Sequence, residues 1–147
     1  MIRPFSLFQL KRKLVASPEY VARRTPPTEP RDLAGWDWIR LASRPPRATF
    51  TGAGGRAVDV QLRSRVTVDG GHALLKLAEL GLGLAMVPAA LAEREIVAGR
   101  VVEVLPSWRL EAHGVYAVWP ANAPRAGLAH RLIDFLAKRR DAPAMIR

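Results

Sequence analysis

The chain has 147 residues, no cysteine and a formal net charge of +10. Its length fits one ordinary domain with a buried core, and its 49% apolar content argues against disorder. The lack of cysteine excludes disulfide scaffolds, thiolate metal sites and cysteine catalysis. The charge comes mostly from scattered arginines without interleaved aromatics, which leaves two interpretations open: a compositional bias, or contact with nucleic acid or anionic lipid.

The first elements in chain order are a short strand and a short helix. Lys13–Ala16 is predicted to be a strand. Ser17 suits a helix N-cap and Pro18 the first helical position, and the prolines after Thr25 end the helix. Trp36–Leu41 then alternates like a strand, with its two tryptophans on one face.

The middle of the chain predicts a hairpin, a strand and a helix. Ala48–Val68 is expected to form the hairpin, with Gly52–Gly55 as its turn and Val66–Val68 as a second short strand. The helix that follows should bury one apolar stripe. The members of this stripe are Leu74, Leu77, Ala78 and Leu80.

Strands and helices alternate in the rest of the chain. Leu84–Val87 is apolar throughout, as is typical of a strand buried on both faces of a parallel sheet. Pro88 begins a helix, Val101–Leu105 and Gly114–Trp119 are predicted strands, and Arg125–Arg140 is the clearest helix. The pattern predicts an α/β fold in which residues Leu14–Trp119 form a mixed sheet flanked by helices, with Leu84–Val87 as an interior strand.

No arrangement of side chains predicts catalysis. His72, His113 and His130 lie far apart in the sequence and have no neighbouring carboxylates. Gly81-Leu82-Gly83 follows a helix and precedes a strand, the wrong order for cradling a phosphate. We therefore expect no enzymatic activity, no cofactor and no metal.

Two strand-to-helix corners predict a binding edge. Ligands of open α/β sheets sit at the carboxyl ends of strands, near helix N-termini. We expect Asp69 to cap its helix, and the two corners to serve as turns and caps, as effector contacts, or as both. Their residues are Thr67, Val68, Asp69, Gly70 and Gly71 in the first corner and Met86, Val87 and Pro88 in the second.

Seven segments in order resemble the effector-binding domain of LysR-type transcriptional regulators. Ala78–Pro88 is the best match, similar to the family's A-x-x-G-x-G-I-A-x-x-P pattern, and Pro30–Ala34 is similar to its P-x-D-L pattern. The other five segments are Leu14–Arg23, Val68–Leu74, Gly99–Pro106, Val115–Pro120 and Leu132–Leu136.

The resemblance implies a domain organisation and a fold of the periplasmic-binding-protein type II class. Residues 1–12 are expected to be a remnant of the first regulatory subdomain or a leader foreign to the family. Residues 13–119 should form the second regulatory subdomain. Residues 120–147 should be a return segment and C-terminal helix that belong to the first subdomain. The winged helix-turn-helix and linker helix of the family are not found in the sequence.

The function that the resemblance implies is effector sensing in a cytoplasmic, homodimeric regulator. The effector would be a small molecule, with anionic metabolites among the candidates, bound weakly by this chain alone. DNA contact would come only through the missing head, and no membrane contact is expected. The apolar stripe of the last helix is a candidate interface: Leu128, Leu132, Ile133, Phe135 and Leu136.

Two other functions stay open at this point. One is a solute-binding protein of the two-lobed periplasmic type, against which the absence of a recognisable secretory signal argues. The other is a basic nucleic-acid-binding protein, for which the sequence offers charge but no motif.

Overall fold

The computed structural model describes residues 2–120, 122, 124 and 127–139. Contacts divide the chain into two units, one formed by the residues up to Leu10 with those from Ala112 onward, and the other by Lys11–Glu111. The strands are β1 (Ile2–Leu10), β2 (Arg12–Ala16), β3 (Trp38–Leu41), β4 (Arg47–Thr51), β5 (Ala57–Gln61), β6 (Ser64–Val68), β7 (Leu84–Pro88), β8 (Val102–Glu103), β9 (Arg109–Leu110) and β10 (His113–Pro120). The α-helices are α1 (Pro18–Ala22), α2 (Gly71–Glu79), α3 (Ala89–Val97) and α4 (Leu128–Lys138).

A five-stranded mixed sheet forms the centre of the unit Lys11–Glu111. Its strand order is β6-β3-β7-β2-β8. Strand β3 pairs in parallel with both β6 and β7, whereas β2 is antiparallel to β7 and β8. The prediction of Leu84–Val87 as an interior strand is confirmed, because Leu84, Ala85 and Val87 are completely buried.

Apolar clusters cover both faces of this sheet. Helices α2 and α3 pack on one face, where Val15, Ile39 and Ala85 belong to the same cluster as the buried residues of both helices. The other face, with Leu14 and Trp38, packs against a second sheet of strand order β5-β4-β9. Helices on one face and a small sheet on the other agree with the predicted α/β class. No helix in the described part of the chain is long and apolar enough to cross a membrane.

The hairpin is shorter than the sequence predicted. Strands β4 and β5 pair antiparallel around a 3-10 turn at Ala53–Gly55, as expected. Strand β6 leaves the hairpin and pairs with β3 in the five-stranded sheet. The main chain turns away after Leu62, whose side chain is buried in the core between the two sheets.

Two other predicted elements also differ in the structure. Helix α2 ends at Glu79, so Leu80 falls beyond it and is 65% exposed, while Leu75 takes its place in the core. In the predicted strand Val101–Leu105, only Val102 and Glu103 pair, and Leu105 has a positive φ of 53°.

The first unit consists of β1, β10 and α4. Strands β1 and β10 pair antiparallel from Ile2 and Pro120 to Leu10 and His113. The expectation that Trp119 shares a sheet with Leu14 is therefore wrong, since β10 finds its partner in the opening segment. Of the predicted helix Arg125–Arg140, the residues before 127 and after 139 lie outside the described part.

Gly83 permits a close approach of two backbone segments in the unit Lys11–Glu111. Its φ is +148°, and a Cβ built on it would lie 2.4 Å from the main-chain oxygen of Asp37. The next residue, Leu84, donates its N–H to that oxygen at 2.9 Å. Only glycine fits this conformation and this contact.

We predict that Gly83→Ala destabilises the protein by about 3 kcal/mol or more, because the new methyl group overlaps main chain that cannot move freely. The matched control is Gly35→Ala, where a Cβ meets nothing within 4 Å. Urea denaturation monitored by circular dichroism measures both free energies of unfolding. Equal free energies for the two variants would contradict the steric argument.

Asp32 organises the 3-10 turn at Pro30–Leu33. Its Oδ2 accepts hydrogen bonds from the main-chain N–H groups of Thr28 and Glu29, at 2.8 and 3.0 Å, and from the Thr28 hydroxyl at 3.1 Å. These bonds, the one from the Glu29 N–H foremost, lower the pKa of the Asp32 carboxyl below its usual 3.8. Hydrogen bonds that favour the ionised carboxylate depress its pKa in this way.

We expect Asp32→Asn to lower the thermal midpoint at pH 7 and to have a smaller effect in acid. Because the folded-state pKa is depressed, the stabilisation is fully present above pH 3.8 and is lost as the pH falls through the lowered value. Scanning calorimetry at several pH values, with Asp59→Asn for comparison, checks this. A difference in midpoint that is the same at pH 7 and pH 2.5 would disprove it.

Candidate functional site

The two predicted corners lie at the same edge of the five-stranded sheet. Thr67 and Val68 end β6, and Met86 and Pro88 lie at the end of β7. Both strands run parallel to β3, so their carboxyl ends point the same way, with β3 between them. This edge, here called the carboxyl edge, is where ligands bind in open α/β sheets.

The helices that follow the two corners begin side by side. A Cβ built on Gly71, the first residue of α2, would lie 3.9 Å from Cδ1 of Leu91 in the first turn of α3. The N-cap residues, Gly70 and Pro88, make no side-chain capping hydrogen bond. In α3 the first N–H group, that of Ala89, donates to the main-chain oxygen of Lys11 at 2.9 Å. The other N–H groups of the two first turns have no side-chain cap, and their partial positive charge favours an anion.

Two of the corner residues do not behave as expected. Asp69 does not cap α2, because the helix begins one residue later than that role requires, with Gly70 as its N-cap. Val87 is completely buried, which leaves only its main chain for a ligand. Thr67 and Asp69 are exposed, and Gly70 and Gly71 are partly exposed.

Arginines at the carboxyl edge were not predicted from the sequence. Arg12 begins β2 opposite Pro88, and its Nε and one Nη donate to the main-chain oxygen of Glu111 at 3.2 and 3.0 Å. Burial, followed by the nearby charge of Arg44, lowers the pKa of Arg12, and Glu111 partly opposes this. Arg12 is found at this edge because β2 runs antiparallel to β7.

Arg40 holds the loop that follows β3. Its Nη1 donates to the main-chain oxygen of Arg44 at 2.6 Å, with longer bonds to the oxygens of Leu41 and Ala42. Its Nε is buried and has no hydrogen-bond partner among the described residues. Alternation along β2 and β3 places Arg12 and Arg40 on the sheet face that carries Leu14 and Trp38.

An open groove of about 650 Å³ lies next to α1. Arg24 is held there, 3.5 Å above the Tyr20 ring and 3.7 Å from the Asp37 carboxylate. The Tyr20 hydroxyl accepts a hydrogen bond from the Asp37 N–H at 2.8 Å, and burial raises the pKa of this phenol. Because Arg24, Tyr20 and Asp37 already contact one another, the arrangement of side chains in the groove is explained by the structure without a ligand. Its other lining residues are Thr25, Pro26, Thr28, Asp32, Gly35 and Trp36.

The candidate interface residues divide into two sets on α4. Ile133 is buried, with 9% of its surface exposed. The other four are exposed: Leu128, Leu132, Phe135 and Leu136. Among the described residues, no group of His, Asp or Glu side chains could hold a metal ion.

Comparison with known proteins identifies the family. The model of the LysR substrate binding domain matches residues 5–141. The chain belongs to this family. The resemblance noted in the sequence is thereby confirmed, and neither alternative function is needed to explain the fold.

Relatives share both sequence and fold with the chain. It is 41% identical over 110 residues to the HTH-type transcriptional regulator PtxR of Pseudomonas aeruginosa, a match that covers 73% of this chain and 35% of that protein. The regulatory domain of variant C227S AphB from Vibrio vulnificus is similar with a TM-score of 0.78 and 23% identity, covering 93% of this chain and 73% of that one. The CrgA regulatory domain from Neisseria meningitidis has a TM-score of 0.73 and 23% identity, covering 94% and 68%.

The full-length relatives are considerably longer than this chain. The full-length virulence activator AphB of Vibrio cholerae, described as a member of the LTTR family, aligns with a TM-score of 0.80 and 20% identity. That alignment covers 95% of this chain but 48% of AphB. The chain therefore spans about half of this relative and about a third of PtxR.

Proposed function

We propose that this chain is the effector-sensing domain of a LysR-type transcriptional regulator, and that its effector binds at the carboxyl edge. The main support for the proposal is that both corners lie at the same edge of the sheet. The two helices begin side by side there, since a Cβ on Gly71 would lie 3.9 Å from Cδ1 of Leu91. Two helix N-termini without side-chain caps supply hydrogen-bond donors there. The family match supports the regulatory role.

Effector binding regulates a protein only when the ligand prefers one conformation. The division of the chain into two units fits such a mechanism, because the chain passes between them twice, near Leu10 and near Glu111. The assignment of these units to the first and second regulatory subdomains is part of the proposal. So are a cytoplasmic location and the absence of enzymatic activity.

The test of the effector site uses Gly70→Leu. Gly70 has a φ of −128°, which any residue adopts, and a Cβ there meets nothing within 4 Å. The variant should stay folded, with a stability loss within about 1 kcal/mol, while its side chain fills the corner. A small-molecule metabolite library screened by thermal shift on the unchanged protein supplies the ligands.

We expect Gly70→Leu to abolish the thermal shift caused by the metabolites that stabilise the unchanged protein. Gly35→Leu, equally unobstructed but in the turn before Trp36, is the control and should keep the shift. Isothermal titration calorimetry on both variants then confirms the loss of binding. Full binding by Gly70→Leu would mean that the effector site lies elsewhere.

We also propose that the chain associates with a second copy through the exposed face of α4. Four large apolar side chains there are 37% to 82% exposed. Covering them would gain roughly 25 cal/mol for each Å² of apolar area buried. A two-fold arrangement buries the same face on both copies. The unit that contains α4 also has a sheet of only two strands, β1 and β10, which is marginal by itself.

Replacing Leu132 and Phe135 together with aspartate should convert a dimer to a monomer. Both side chains are at least half exposed, so the change should leave the core of the unit intact. Lys138→Asp, an exposed charge change on the same helix, is the control and should leave the dimer unaffected. Light scattering coupled to size exclusion measures the mass. A monomer before any substitution would refute this interface.

A further inference from the structure

The carboxyl edge carries three partly buried arginines that form no ion pair with a described carboxylate, although the charge of Glu111 acts on Arg12 and Asp69 lies at the same edge. Five basic side chains in the unit Lys11–Glu111 are partly buried, and two of them are paired: Lys13 lies 3.1 Å from Glu103, and Arg24 lies 3.7 Å from Asp37. The remaining three, Arg12, Arg40 and Arg44, form no ion pair with a described residue and belong to one edge of the sheet.

Burial of these charges has a free-energy cost. A guanidinium removed from water loses hydration, and like charges nearby add repulsion. Both effects are present here, since burial and the charge of Arg44 lower the pKa of Arg12. Unpaired cations in this situation are complementary to an anion.

Hydrogen bonds within the protein explain the positions of only some of these three arginines, here called the arginine cluster. Arg12 holds the Glu111 carbonyl and Arg40 holds the loop, so both have a structural role. The guanidinium of Arg44 makes no hydrogen bond or ion pair with any described residue, although the side chain is partly buried. The Nε of Arg40 is also left without a partner among the described residues.

We infer that Arg12, Arg40 and Arg44 bind an oxyanion group of the effector, a carboxylate or a phosphate. Guanidinium groups form paired, charge-assisted hydrogen bonds with both. This inference rests on the proposed effector site and specifies the chemical class of its ligand. The cluster lies next to the end of β7 that carries Met86 and Pro88, where Pro88 is opposite Arg12 in the register.

The experiment compares Arg44→Met with Arg63→Met. Both variants lose one positive charge, but Arg63 is exposed and precedes β6, at the end of that strand opposite the carboxyl edge. Arg44→Met removes no protein hydrogen bond, so it should fold. The thermal midpoint is measured in inorganic phosphate and in sodium succinate, with potassium chloride at equal ionic strength as the reference, and calorimetry gives the dissociation constants.

We expect phosphate, succinate or both to raise the midpoint of the unchanged protein beyond the chloride reference, which identifies the preferred oxyanion. Arg44→Met should weaken that binding about tenfold or more, as expected for losing a charged hydrogen-bond donor. Arg63→Met should bind as the unchanged protein does. The same tenfold loss in both variants, or no oxyanion effect beyond chloride, overturns the inference.

The failures of the two proposals are distinguishable. A neutral metabolite whose binding is abolished by Gly70→Leu and unchanged by Arg44→Met supports the effector site and overturns the anion inference. Oxyanion binding that depends on Arg44, together with metabolite binding that Gly70→Leu does not affect, supports the arginine cluster as an anion site and overturns its place in the effector site.

Discussion

The contact between Gly83 and the main chain of Asp37 sets the register on which the carboxyl edge depends. Because Gly83 has no side chain, the backbone before β7 approaches Asp37 closely enough for Leu84 to donate to its oxygen. That contact aligns Trp38 with Leu84 and Ile39 with Ala85. A slip of one residue would turn the buried side chains of β7 to the opposite faces.

Once this register is set, the chemistry of the edge follows from the direction of each strand. The parallel strands β6, β3 and β7 end there, so the helices after β6 and β7 begin there without side-chain caps. The antiparallel strand β2 starts there and contributes Arg12. Helix N-termini on one face and guanidinium groups on the other combine two separate sources of positive potential.

The fold could be predicted from the sequence where the local signal was strong. Ser17 accepts a hydrogen bond from the Tyr20 N–H at 3.1 Å, as its N-cap position implied, and the apolar run Leu84–Val87 is the interior strand. Trp36 and Trp38 are both core residues on one side of the sheet. Elements with weak periodicity were less well predicted, as the exposed Leu80 and the short β8 illustrate.

The candidate site could likewise be predicted from the sequence only in part. The two corners could be found from the sequence because glycine and proline mark strand-to-helix turns locally. The arginines could not be found, because Arg12 and Arg44 are 32 positions apart in a chain with scattered arginines and meet only through strand pairing. The sequence by itself determined the α/β class, the family and the corners, since these depend on short-range pattern. Only the tertiary structure decided which strand ends meet, the pairing of β10 with β1 and the exposed face of α4, since these depend on contacts between distant residues.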